Sequence, residues 1–291
     1  MDQLFSKTKT YLILRGSVIF NNQQTIFDST DFEDSCAYRN KKFNELLDSI
    51  LFSEKKNLEY KGKIILCYFS TVDENIIKIE LGKSSVFFKD IITENGFKET
   101  EDKYYPNIDI FIHRKKQKIF MQTNPKLMTE DGLINCLETV LNSYLIDYSY
   151  KIHLMAEDNQ DKFWSVTSQE YEVKEVEFCL LAPNLFDCND SASDLSREMH
   201  KKMNAEKTTI KLVSDTGLIL QEDNIGSYVD YTSRGAGYWK IKSFNKRANS
   251  TVKVSSKDAR KKMKIILEYT GGRLESVETS IIKEKFEDDN E

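Results

Sequence analysis

A chain of 291 residues, 40% apolar and 31% charged, carries enough apolar surface for one large core or two ordinary ones, which excludes disorder along most of its length. Its longest apolar runs, such as residues 64–69, fall far short of the ~18 that a membrane-crossing helix needs, and Met1 to Lys7 leads into a Thr/Lys stretch where a signal peptide would be apolar. No membrane span is expected, and a cytoplasmic setting suits five cysteines (Cys36, Cys67, Cys136, Cys179, Cys188) that form no C-x-x-C pair and no zinc site with a nearby His.

Residues 8–14 and 17–20 are β-rich, with Gly16 positioned for a bend or bulge between them. Phe43, Leu46, Leu47, Ile50 and Leu51 recur at helical spacing, so a helix is expected over 37–52 with Asp34 and Ser35 as cap candidates. Residues 63–71 and 76–81 flank Val72-Asp73-Glu74-Asn75 as a hairpin. Ser84 or Ser85 then caps a short helix carrying Phe88, Ile91 and Ile92 and ending at Gly96. Ile108, Ile110 and Ile112 alternate on a strand that turns through a basic tip, His113 to Lys118, into Ile119-Phe120-Met121. Thr129, Glu130 and Asp131 open the clearest helix, with a stripe of Leu133, Ile134, Leu137, Val140, Leu141 and Tyr144.

Residues 148–155 and 171–181 read as strands, the second closing in a turn at Pro183-Asn184. Leu195, Met199 and Met203 mark an amphipathic helix over about 193–204. Residues 208–213 and 218–221 flank Ser214-Asp215-Thr216-Gly217 as a further hairpin, and the remainder reads as β-rich up to an acidic tail. The expected fold class is α+β: mixed, mainly antiparallel sheets with three to five helices in two compact units. Without a repeat or a Gly/Ser linker, the boundary falls in the polar run 156–161. This gives an N-terminal α/β unit over 1–158, a C-terminal β-rich basic unit over 159–275 and an acidic tail over 276–291.

Net charge is −5, yet the stretch from Arg234 to Lys264 holds eleven basic residues against Asp258 alone, a local +10 that leaves −15 for the rest. Ordinary surfaces intersperse both signs, so this tract points to a polyanion. Arg234, Lys240, Lys242, Lys246, Arg247 and Lys253 are the expected phosphate contacts, extended by Lys257, Arg260 and Lys261. Tyr238 and Trp239 are the rings expected to stack or wedge against bases. The competing readings are a solvated sheet whose Tyr238, Ile241 and Phe244 face a core, and a dock for an acidic protein.

Catalytic signals are weaker, so an enzyme is not the favoured reading. His113, His153 and His200 lack metal-ligand spacing, and Gly235-Ala236-Gly237 lacks the third glycine of a dinucleotide loop. Asp161 with Glu172 and Lys174 is a loose version of the carboxylate array of a metal-dependent nuclease. No cofactor is expected.

The order of elements through the 108–121 hairpin, the run Glu175 to Asn184 and the strand Thr208-Thr209-Ile210-Lys211-Leu212 resembles bacterial phage-defence proteins of the Rex exclusion sensor and Kiwa DNA-binding subunit type, over residues 105–270. That resemblance implies sequence-tolerant DNA binding, self-association as a homo-oligomer, and a membrane or effector protein partner encoded nearby. The sequence reading is a DNA-binding sensor or regulator, DNA before RNA, with a nuclease effector and a protein scaffold as alternatives.

Overall fold

The structure, a computed structural model, describes residues 6–20, 36–53, 57–94, 96–145, 150–181, 191–268 and 274–288. The β-branched and aromatic run at the start forms one unbroken strand, β1 (Ser6–Phe20), followed by helix α1 (Cys36–Phe52). Strands β2 (Asn57–Tyr60), β3 (Lys63–Thr71) and β4 (Ile76–Lys83) are a meander, and β5 (Ser85–Thr93) with β6 (Gly96–Tyr104) is a separate ribbon. Then come β7 (Asn107–His113), β8 (Lys118–Gln122), α2 (Glu130–Asn142) and β9 (Tyr150–Ala156). The second half contains α3 (Gln160–Ser165), β10 (Tyr171–Leu181), α4 (Ser191–Met203), β11 (Lys207–Val213) and α5 (Glu222–Tyr231). It continues with β12 (Gly237–Asn245), β13 (Ser250–Ser255), β14 (Lys262–Glu268) and α6 (Leu274–Asp288).

The fold is thus α+β with antiparallel sheets as expected, and its described residues form six α-helices where three to five were expected. Among those residues, no helix is long and apolar enough to cross a membrane.

The larger sheet runs β14-β1-β8-β7-β4-β3-β2. Strand β1 pairs with β14 through Ser6 to Leu12 and with β9 through Leu14 to Phe20, so these two lie end to end along one side of it, while β8 takes the other. Gly16 makes no bend. A Cβ there would sit 3.1 Å from the Phe43 ring, so the missing side chain lets α1 pack closely on the strand. Alternation puts Leu12, Leu14, Ile79, Ile110 and Ile112 on the face covered by α1 and α2, and Thr129 caps α2 by accepting from Gly132 N.

The opposite face presents Tyr11, Phe111 and Phe120 to α6, whose Phe286 stacks on Phe120 with ring centroids 4.1 Å apart. Residues 276–288, expected as an acidic tail, are therefore helix, and Glu278 is buried against Lys9 Nζ (2.6 Å) and the Tyr11 hydroxyl. Buried charge persists because it is paired and hydrogen-bonded. The smaller sheet, β11-β10-β12-β13, packs Val176, Phe178, Trp239 and Ile241 against Phe163 of α3 and Ile225 and Val229 of α5.

Three further expectations change. The helix expected to end at Gly96 is the β5–β6 ribbon: Phe88, Ile91 and Ile92 fit helical spacing, but six β-favouring residues in nine and a tight turn into Gly96 (φ +116°) favour a strand. Residues 218–221 form no hairpin with β11, which pairs with β10 instead; Gln221 starts α5, whose first turn carries Glu222 and Asp223. The unit expected to run from 159 to 275 ends near Ala259, because β14 and α6 return to the larger sheet. The cap candidates Asp34 and Ser35, the Pro183-Asn184 turn and Cys188 lie outside the described residues.

Candidate nucleic-acid interface

The alternation Tyr238-Trp239-Lys240-Ile241-Lys242 sorts the basic tract into two faces, since successive side chains of a strand point to opposite sides. Trp239 and Ile241, opposite Phe178 and Val176, point into the core; Tyr238, Lys240 and Lys242, opposite Cys179, Glu177 and Glu175, point out. The expected role of Trp239 in stacking is therefore corrected: it is 0% exposed, with its ring edge on Phe163 at 5.2 Å, and no base can reach it. Tyr238 does face outward, half-buried, with Lys240 Nζ 5.0 Å from its ring centre.

Five of the nine expected phosphate contacts already hold carboxylates from outside the basic tract. Arg234 pairs with Asp230 (2.8 Å), Lys240 with Glu177 (2.8 Å) and Lys261 with Glu157 (3.7 Å). The acids at the start of α2 take the others: Asp131 holds Lys257 at 2.6 Å, and Arg260 reaches both Glu130 at 3.3 Å and Asp131. A tract almost free of acids in sequence is thus partly neutralised in space, and the Lys257 and Arg260 pairs with α2 lie at a cleft of about 530 Å³ lined by Tyr238, Lys240, Lys257, Arg260 and Asp131.

Lys242, Lys246, Arg247 and Lys253 remain. All four are exposed on the β12–β13 hairpin, and none has a carboxylate partner among the described residues; Lys246 Nζ reaches the Gln169 carbonyl at 3.4 Å. Lys242 and Lys253 stand directly opposite on the same face, a juxtaposition of like charges that costs stability until an anion arrives. The tip is set by Asn245 Oδ1 accepting from Ala248 N at 2.8 Å and by Asn249 at φ +48°, a conformation asparagine tolerates.

Phe244 follows Lys242 by two residues and shares its outward face, half-buried. The competing reading of a solvated sheet places this ring in a core; the same alternation that hides Trp239 turns Phe244 outward.

The His113 to Lys118 tip does not extend this face. His113 lies against the Phe286 ring, Arg114 pairs with Asp48 at 2.7 Å and Lys118 is buried 3.8 Å from Glu157. Burial pulls the Lys118 ammonium down to about 8. Following Glu157, Asp158 is pushed up by burial to about 6, opposed by a hydrogen bond from Trp239 Nε1 and by Lys261; its Oδ2 has no hydrogen-bond partner among the described residues.

Of the loose nuclease array, Lys174 pairs with Glu172 at 2.5 Å, and no group of three or more His, Cys, Asp or Glu placed to hold a metal occurs among the described residues. No family model, curated protein or solved structure matches this chain.

Proposed function

We propose that the chain binds nucleic acid, DNA in preference to RNA, through the β12–β13 hairpin. The observation that carries this reading is the opposition of Lys242 and Lys253 beside Lys246 and Arg247, four exposed cations without a carboxylate partner among the described residues. A phosphate backbone relieves their mutual repulsion, and each phosphate neutralised releases condensed counterions. Phe244 on the same face offers a ring for an unpaired base, a contact worth ~1–3 kcal/mol.

The resemblance to phage-defence proteins of the Rex exclusion sensor and Kiwa type is the reason to read this binding as sensing or regulation alongside an effector partner. A reducing cytoplasm is part of the same reading, in keeping with buried thiols at Cys136 and Cys179.

Titration with single- and double-stranded oligonucleotides over rising salt tests the proposal. Four phosphate contacts predict that log K falls against log salt with a slope of about −3 to −4. Absence of binding at ~50 mM salt, where such contacts are strongest, would end it.

A further inference from the structure

The β5–β6 ribbon carries no third strand, and both of its edges are unpaired among the described residues. An isolated two-stranded ribbon is marginally stable in water, and this one also holds Val86, Phe88, Ile92 and Phe97 outward on a single face. Phe88 is 65% exposed, Ile92 83% and Phe97 81%. At its root the outer face of the larger sheet is equally bare. Beyond β4, where α6 no longer covers it, Ile64, Tyr68 and Tyr105 are exposed, and Leu66, Tyr68 and Tyr105 line a shallow cleft of about 430 Å³.

We infer that this chain forms a two-fold dimer in which the β5–β6 arm of each copy lies on the outer face of β3 in the other. Area is the first argument. The uncovered apolar parts of the arm and its root come to roughly 900 Å² per chain, so a reciprocal contact buries close to the ~1,200–2,000 Å² of a stable interface.

Charge is the second. Residues 85–104 carry Asp90, Glu94, Glu99, Glu101 and Asp102 against Lys89, Lys98 and Lys103, whereas Lys61 and Lys63 stand exposed at the β2–β3 turn beside Ile64. The acidic arm is therefore repelled by anionic lipid or nucleic acid, while a second copy offers it Lys61 and Lys63 at the edge of a face that also carries Glu59 and Glu80. An isologous pairing also covers both apolar surfaces at once and leaves none to propagate a filament.

Sedimentation equilibrium of the full chain at ~10 µM, well above the Kd expected for such an interface, tests this. The wild-type chain should sediment at the mass of two copies. Ile92→Glu combined with Phe97→Glu should halve that mass, as should Ile64→Glu on the receiving face, each with the far-ultraviolet circular dichroism unchanged. Ile219→Glu, at an exposed apolar residue outside both surfaces, should leave the dimer intact. A monomeric wild-type chain, or a dimer that survives both the arm and the β3 variants, overturns the inference; so does a monomer that binds phosphatidylcholine vesicles, which assigns the arm to lipid.

Discussion

Asp158 and Trp239, 81 residues apart in sequence, meet in the interior between the two sheets, where the indole Nε1 donates to Asp158 Oδ1 at 3.2 Å and neither side chain reaches solvent. The carboxyl is raised from its ordinary value of 3.8 to about 6 because burial disfavours its ionised form. Its folded pKa lies above its unfolded one, so its contribution to stability is fully present below pH 4 and is lost as pH rises through about 6. Asp158→Asn removes the charge and keeps the oxygen that Trp239 needs. Thermal melts should show the variant gaining on the wild type between pH 4 and 6 and holding a constant lead above it, up to about 3 kcal/mol. A lead independent of pH would mean that Asp158 does not titrate in that window.

Lys242→Ala with Lys253→Ala should lower the salt slope of duplex binding by roughly 1.8, two phosphate contacts at about 0.9 each. The same pair should raise the melting temperature slightly, since opposed like charges cost ~0.2–1 kcal/mol. Lys257→Ala, at a cation already held by Asp131, should change neither the affinity nor the slope. Equal losses from all three positions would point to diffuse attraction across the whole tract.

Trp239→Ala should act on stability, lowering the unfolding free energy by ~3–5 kcal/mol in a urea titration, as expected for an emptied core position. Oligonucleotide affinity of the protein that remains folded should stay at the wild-type value. Phe244→Ala should do the reverse, with a single-strand affinity lower by ~1–3 kcal/mol and little change in the urea midpoint.

Phe286→Ala removes the ring stacked on Phe120 and should cost ~3–5 kcal/mol. Limited proteolysis should then release the 274–288 segment first, because Ile282 is then the main apolar anchor left beside the Lys9–Glu278 pair.

Much of the fold was legible because it is local. The β7–β8 hairpin and α2 with its Thr129 cap lie within short windows where periodicity, turn residues and caps agree. The return of β14 and α6 to β1 leaves no such trace, since Ser6 finds Glu268 across almost the whole chain. At the interface, residue type was readable and circumstance was not: the excess of cations was visible, but Glu130 and Asp131, more than 120 residues upstream, cancel Lys257 and Arg260 only after folding. Trp239 was misassigned for a different reason. Its alternation with Lys240 was present in the sequence, and composition was allowed to outweigh it.

The pairing of β1 with β14 also governs how the molecule is made. Translation adds roughly 5–20 residues per second, so β1 emerges from the ribosome tens of seconds before the strand that zips onto Ser6 to Leu12. Throughout that delay a row of backbone amides and carbonyls stands open to any passing polypeptide, and a chaperone that shields it would raise the yield of native protein more than one acting after synthesis.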